Sequence, residues 1–566
     1  MHCPLVAPHV RATRWLLTVA LLSSASASAQ TLIDTSAAVG IQNTLNNVAA
    51  PSPVPFIQRA NTVVQTVQSQ QAQAAAQVTT PSSSVSSPST ATRTVTVMPL
   101  TAQQQAALTA AQASFKAGNY ALARTQYEAL IAQNYNNPEP HFGLAMTLLS
   151  LKDEKGATFE LGQFRLLAPE RFEGPYNLGV IATRAGRYAD ALSLYAEAAK
   201  LVPGQAGPEL QVQVWNALAG EQLRKADYAG LTTTLGALQA LKPDDLDIQF
   251  RLAQAQFMSN QGAQALPSLY ALLQKQPART EAIRLLADIY AAQGLPERAI
   301  RELDAGLTQV KAGRDRAALL LHKANLLALT GDTKNAVFSA QAAHLQDRSN
   351  VDAWLREGQL RLQRSDRAGA LKVFQGAVQA APRDAKVRVE LASLQLALKQ
   401  YPQAAQNAAV ALTLRPDAAT QARAQYVQGV ALYQRQQYAQ ARTLLNSSAL
   451  AVRNADVTLW LGLANYALKD YAGAAAALTE SMKLNPTLTV RQNLASALLA
   501  AARYSEAEGI LQGIVKDNAK NSDAWYFLGL SQRAQLREED ARKSFKVAAN
   551  LGNTRAQQAL VQEPGK

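Results

Sequence analysis

The chain has 566 residues, of which 48% are hydrophobic and 17% are charged, and its formal net charge is +14 at pH 7. The apolar share is sufficient for a packed core and excludes disorder throughout, and the length corresponds to about three or four ordinary domains unless the sequence is periodic. The basic excess is mild, and no run of Lys and Arg typical of nucleic-acid binding is present.

Residues 1–29 have the three parts of a secretory signal peptide. Arg11 and Arg14 precede an apolar run at 15–22, and small residues lead to a cleavage site after Ala29. The run is shorter than the roughly 20 residues that span a bilayer. We therefore expect an exported protein, periplasmic or associated with the cell envelope, with no transmembrane helix after cleavage. An uncleaved anchor is the alternative.

Residues 30–100 are rich in Ser, Thr, Gln and Pro, and their only charges are Asp34, Arg59 and Arg93. This composition offers too little apolar surface to offset the entropy lost on ordering the chain. It predicts a disordered linker. A tether that spaces the folded part from a wall or membrane is the functional alternative.

From residue 104 a pattern of about 34 residues recurs in register. One copy contains Leu178, Gly179, Tyr188, Ala191, Tyr195 and Pro203, and a later copy contains Gly462, Tyr471, Ala474 and Pro486. Apolar residues three or four apart describe two amphipathic helices in each unit, with a turn near Gly-x-Tyr. The small residues allow the two helices to approach closely, and Pro ends the second helix.

This pattern of Trp, Leu, Gly, Tyr, Ala, Phe, Ala and Pro resembles the tetratricopeptide repeat (TPR), as found in exported bacterial TPR proteins. The resemblance covers about four fifths of the chain. It implies an all-α fold, a right-handed α-solenoid of about thirteen helix-turn-helix repeats over 104–552. Lys311 and Arg348 depart from the family pattern, which has Pro at these places. Residues 553–566 are expected to form a tail or a short capping helix over the last apolar face.

Residue types that carry out catalysis are sparse in the mature sequence. The single cysteine, Cys3, is lost with the signal, which leaves no thiol for a disulfide or a metal. His141, His322 and His344 lie in different units without metal-ligand spacing, and no phosphate loop or nucleophile elbow is present. We expect no enzymatic activity, no cofactor, no metal and no small-molecule substrate.

The resemblance implies that a groove lined by the first helix of each unit binds peptides or protein surfaces. The most apolar part of this groove contains Tyr426, Val430, Tyr433, Trp460, Leu463, Tyr466, Tyr526 and Phe527. Trp460 occupies a place that is usually polar in the family, and an exposed Trp beside Tyr is typical of a binding hot spot. Burial of these side chains against the next coil of the array is the alternative.

Together these patterns predict a non-catalytic scaffold or adaptor that mediates protein–protein interactions in the cell envelope through this groove. Its partners are expected to be one or more proteins or peptide segments. An accessory subunit of an envelope enzyme or of a polysaccharide-handling complex is the alternative from a different class. Binding to nucleic acid or an anionic surface is a further alternative, and it would weaken steeply with salt.

Overall fold

The computed structural model describes residues 96–561, and every regular element in that range is a helix. The first ten helices are α1 (Ala102–Lys116), α2 (Tyr120–Gln133), α3 (Pro138–Ser150), α4 (Glu154–Leu167), α5 (Glu173–Arg184), α6 (Tyr188–Leu201), α7 (Pro208–Arg224), α8 (Tyr228–Leu241), α9 (Leu246–Met258) and α10 (Gly262–Lys275). They form five consecutive helix pairs, which we number repeats 1–5.

The chain continues in the same manner to the end of the described range. The remaining helices are α11 (Thr280–Ala292), α12 (Pro296–Gln309), α13 (Arg314–Leu329), α14 (Thr333–Gln346), α15 (Val351–Gln363), α16 (Arg367–Ala380), α17 (Ala385–Ala397), α18 (Tyr401–Thr413), α19 (Ala418–Gln434), α20 (Tyr438–Ala451), α21 (Ala455–Ala467), α22 (Tyr471–Leu484), α23 (Leu488–Ala500), α24 (Tyr504–Asp517), α25 (Ser522–Ala534), α26 (Glu538–Asn550) and α27 (Thr554–Val561). Helices α11 to α26 form repeats 6–13, so the predicted number of thirteen helix pairs is confirmed.

The described chain divides into two compact units. The N-terminal unit, residues 96–277, contains repeats 1–5, and the C-terminal unit, residues 278–561, contains repeats 6–13 and α27. Within each unit the first helix of a repeat packs on its own second helix, which packs in turn on the first helix of the following repeat. No helix in the described range is both long enough and apolar enough to cross a membrane.

In several repeats the close approach of the two helices depends on a glycine that faces a bulky side chain. A Cβ atom on Gly179 would lie 2.7 Å from the Tyr195 ring, and one on Gly462 would lie 2.6 Å from Leu478. Both distances are too short for real contacts, so only glycine fits here. The packing of large against small residues that the sequence predicts is therefore present.

The turn between the two helices places one residue in the left-handed region. Gly186 has φ 73° there, whereas Lys469 and Ser365 adopt φ 63° at the equivalent place in later repeats. Glycine is favoured in this conformation but is not obligatory, because a single left-handed residue costs only roughly 1–2 kcal/mol. This explains why Gly-x-Tyr is only an intermittent marker of the repeat.

The chain just before α1 is hydrogen-bonded to the loop between α2 and α3. The Met98 N–H donates to the Asn136 carbonyl at 3.2 Å, and the Asn137 side chain donates to the Met98 carbonyl at 2.9 Å. Leu100 packs on the core of repeats 1 and 2. Met98 and Leu100, at the end of the range 30–100 for which a linker is predicted, thus contact the first repeats. The predicted signal peptide and the rest of the linker lie outside the described residues.

The last helix, α27, covers the end of the C-terminal unit. Its Ala556 and Ala559 are buried in a cluster with Ala541 and Phe545 of α26. The Asn553 side chain caps α27 by accepting from the Ala556 N–H at 3.0 Å, and its amide donates to an α25 carboxylate. The helix thus shields the apolar side of repeat 13, as the end of a repeat array requires.

Candidate partner-binding face

First helices of successive repeats in the C-terminal unit lie against one another as well as against the second helices. Contacts join α11 to α13 and continue pairwise through α15, α17, α19 and α21 to α23. Side chains at equivalent positions of these helices therefore form rows along one face of the unit. We call this surface, formed by the first helices α11 to α25, the inner face.

The eight predicted groove residues all lie on the inner face. Four are buried in the core that runs through repeats 9–13, namely Tyr426, Val430, Trp460 and Leu463. Three are partly buried against the same core, namely Tyr433, Tyr466 and Phe527. The eighth, Tyr526, belongs to the α27 cluster, where its ring centroid lies 5.9 Å from that of Phe545. The structure therefore brings seven of the eight together.

Trp460 is buried, so the prediction of an exposed hot spot at this residue is wrong. Only 3% of its surface is exposed. The ring meets Tyr433 edge-on at 5.2 Å between centroids, and its side chain is hydrogen-bonded to that of Tyr426. Since α19 and α21 lie side by side, a large side chain at this position is covered by the two tyrosines of the preceding repeat. The alternative, burial within the array, is correct for Trp460.

The partly exposed aromatic side chains are also held by neighbours. Tyr433 lies 5.2 Å from Tyr438, and Tyr466 lies 5.2 Å from Tyr471, each measured between ring centroids. In both repeats the second tyrosine begins the second helix, so the pair braces the turn between helices. These rings offer a partner a rigid aromatic edge, which loses little side-chain entropy on binding.

Asp456 is a charged residue on this face that the sequence analysis did not identify. It lies in the first turn of α21, one helical turn before Trp460. Burial raises the pKa of its carboxyl to about 6. Burial, and to a smaller extent the nearby carboxylate, raises the pKa of the Tyr426 hydroxyl, and burial raises that of Tyr433 to about 12. The site is therefore poorly hydrated and carries a negative charge at neutral pH.

The inner face also carries charged and polar side chains, which lie on α11 to α19. His322 of α13 pairs with Asp288 of α11 at 2.9 Å, and Arg423 of α19 pairs with Glu390 of α17 at 2.7 Å. Arg356 of α15 has a lowered pKa because of burial, and its Nε has no hydrogen-bond partner among the described residues. The two pairs neutralise much of the local charge, so this part of the face presents no continuous basic track.

Packing explains the other two histidines of the described chain. His141 Nδ1 lies 2.6 Å from a Glu160 carboxylate oxygen, and both residues belong to repeat 2. His344 stacks on Trp354 at 3.6 Å between centroids and bonds to Glu357 at 2.6 Å. Within residues 96–561, no three His, Cys, Asp or Glu side chains are grouped as metal ligands. Each of these histidines joins two helices through a carboxylate.

Tetratricopeptide repeats are found in the chain by comparison with repeat families. One tetratricopeptide repeat family matches residues 108–163, 160–206, 355–419 and 422–487, and a second matches 465–530. Repeats 4–7 lie between these matches and show the same helix pairs. No curated protein matches the sequence.

Several solved structures are similar to parts of the chain. YrrB, described as a TPR protein with an unusual peptide-binding site, is 21% identical, with 33% of this chain and 98% of YrrB covered at a TM-score of 0.32. The Naa15/Naa10 complex bound to HypK-THB is 14% identical over 81% of this chain and 77% of the matched chain, with a TM-score of 0.42. A TPR protein from Parabacteroides merdae is 17% identical over 43% and 97%, with a TM-score of 0.31.

Proposed function

We propose that this protein is a non-catalytic scaffold or adaptor that binds segments of other proteins along the inner face of its C-terminal unit. The observation that carries the proposal is the row of partly exposed aromatic residues on that face, Tyr433, Tyr466 and Phe527, above a continuous buried core. Aromatic side chains held rigidly over a packed base are characteristic of protein-binding surfaces.

The cell envelope is the proposed location. Support comes from the sequence of residues 1–29, with its basic start, short apolar run and small-residue cleavage site.

The charge pattern of the inner face favours a protein partner over a polyanion. Arg423 and His322 are already paired with carboxylates of neighbouring repeats, and Asp456 adds an unpaired negative charge. A nucleic-acid track requires successive cations that remain free to neutralise phosphates. Partner selection by shape and by a few polar contacts fits this surface better.

The test is an affinity capture of residues 30–566 from an envelope extract, alongside a double variant, Tyr466→Ala with Phe527→Ala. Both substitutions remove partly exposed aromatic area from the inner face. The matched control is Leu450→Ala, since Leu450 is 83% exposed on the second helix α20. We expect the double variant to lose a defined protein that the wild type and the control retain.

Direct binding of the purified partner then completes the test. The recombinant partner should bind the wild-type chain saturably and should bind the double variant with reduced affinity, while the circular dichroism of the variant is unchanged. Equal retention of the same proteins by all three forms would contradict inner-face binding.

A further inference from the structure

The charge balance around Asp456 identifies the chemistry of a partner. This inference rests on the proposed function, because it concerns a segment bound along the inner face. Asp456 is half-buried, and this burial raises the pKa of its carboxyl. Among the described residues, no Lys, Arg or His forms an ion pair with it, although the chain is basic overall.

The basic side chains on and next to the helices that pack around α21 form ion pairs with carboxylates other than Asp456. The pairs are Arg423 with Glu390, Arg453 with Glu480 at 3.5 Å, Lys483 with Glu480 at 2.6 Å and Arg491 with Asp517 at 2.6 Å. Arg442 lies exposed on α20. The carboxylate therefore has no internal counterion available, and a partly desolvated charge without a counterion is costly to keep.

The aromatic residues beside Asp456 favour the same kind of ligand. The Tyr426 hydroxyl interacts electrostatically with the carboxylate and is hydrogen-bonded to Trp460. The Tyr433 ring meets the Trp460 ring at 5.2 Å between centroids, and Trp460 lies one helical turn after Asp456. The faces of aromatic rings carry negative electrostatic potential, so an acid flanked by Tyr and Trp attracts a cation and disfavours an anion.

We propose that Asp456, together with Tyr426 and Tyr433, is a docking point for one Lys or Arg side chain of a bound protein segment. The long apolar stem of such a side chain would pack along the aromatic edge while its charged end meets the carboxylate. A metal ion is a poorer occupant, because no second or third acidic ligand is grouped with Asp456 among the described residues. The bound cation would replace the counterion that the fold does not supply.

The experiment selects random dodecapeptides displayed on phage against the full chain at pH 7.5. We expect the selected peptides to share a Lys or Arg at one fixed position. A synthetic copy of the tightest peptide should bind Asp456→Asn at least about tenfold more weakly than wild type, as expected for loss of a charge-assisted contact. Replacing the basic residue of the peptide by Met should weaken binding to wild type but not to Asp456→Asn.

The matched control is Asp352→Asn, which removes an exposed acid from the equivalent first turn of α15. It changes the net charge equally and should leave the affinity unchanged. Affinity for wild type should also fall between pH 7.5 and pH 5, because protonation of Asp456 removes its charge, whereas Asp456→Asn should bind with little pH dependence over that range.

Two results separate this inference from the proposed function. Peptides that lose affinity for Tyr466→Ala with Phe527→Ala but bind Asp456→Asn as tightly as wild type would overturn the cation site alone. Selected peptides without a fixed basic residue would do the same. If no peptide binds the inner face at all, both the cation site and the peptide-binding function fail.

Discussion

Asp456 and Arg356 are two charged residues of the inner face whose ionisation is affected by burial. Burial raises the pKa of Asp456 to about 6 and lowers that of Arg356. Neither has an ion-pair partner of opposite charge among the described residues. Removing such a group from water costs free energy, which for Asp456 the N-terminus of α21 offsets only in part. These two positions are therefore where a bound partner would recover the most free energy.

The raised pKa of Asp456 predicts a pH-dependent effect of its neutral analogue. The carboxyl binds a proton more tightly in the folded state than in the unfolded chain, where its pKa is about 3.8, so the native state loses stability as pH rises through about 6. Asp456→Asn should therefore raise the free energy of unfolding at pH 8 by up to about 3 kcal/mol, and by about half as much at pH 5.

Urea denaturation of both proteins at several pH values measures this difference. Asp352→Asn is again the control, because Asp352 is exposed and should show no comparable dependence. A difference between wild type and Asp456→Asn that stays constant from pH 5 to pH 8 would contradict burial of this carboxyl.

At the scale of the helix pair, contacts depend on side-chain volume. Ala191 of α6 is fully buried and packs with Ala182, Tyr195 and Leu218. Ala191→Leu should lower the free energy of unfolding of the N-terminal unit by roughly 1–3 kcal/mol, because the added carbons overfill a closed contact. Ala189→Leu on the exposed side of the same helix should change it by less than about 0.5 kcal/mol. Chemical denaturation followed by far-UV circular dichroism measures both, and equal midpoints for the two variants would contradict this packing.

The capping helix provides a second test at this scale. A chain that ends at Gly552 lacks α27 and exposes the side of Phe545 that Ala556 and Ala559 cover. We expect amide hydrogens in α25 and α26 to exchange faster, corresponding to a local loss of about 2 kcal/mol. A chain that ends at Val561 keeps the helix and should exchange as the full chain does. Unchanged protection after removal of α27 would show that repeat 13 needs no cap.

The helix pairs could be predicted from the repeat pattern of the sequence. Glycine and alanine at fixed intervals predicted every helix pair, because close helix packing allows little else at positions such as Gly179 and Gly462. Burial of Trp460 did not follow from the pattern. Periodicity shows which side of a helix faces its neighbours, but the spacing between α19 and α21 depends on packing across repeats. The burial of Asp456 did not follow from the sequence either, because an acid in the first turn of a helix is ordinarily solvated.

At the scale of the whole molecule, the two compact units have separate cores. The core of repeats 9–13 runs from Ala392 to Leu528 and contains Trp460, whereas Ala191 belongs to a cluster in repeats 3 and 4. Hydrogen exchange followed by mass spectrometry should therefore report two levels of protection that change independently. Trp460→Ala should lower protection in the C-terminal unit, by about 3–5 kcal/mol near the site, and leave residues 102–275 unaffected.

The reciprocal variant gives the complementary result. Ala191→Leu should lower protection only in the N-terminal unit. If either substitution lowers protection equally across both units, then the chain unfolds as one cooperative body. A Trp460→Ala protein with unchanged protection would mean that its ring contributes nothing to the core.

The contact between a glycine and a bulky side chain within a repeat affects how the number of repeats can change during evolution. Gly179 with Tyr195, Gly462 with Leu478, and Gly529 with Phe545 are each sixteen residues apart and lie within a single repeat. Both halves of the fit are thus carried by one stretch of about 34 residues. Tandem duplication or loss of such a stretch leaves every internal fit intact and changes only the number of modules. The length of the binding face can therefore vary between descendants of one gene without redesign of its core.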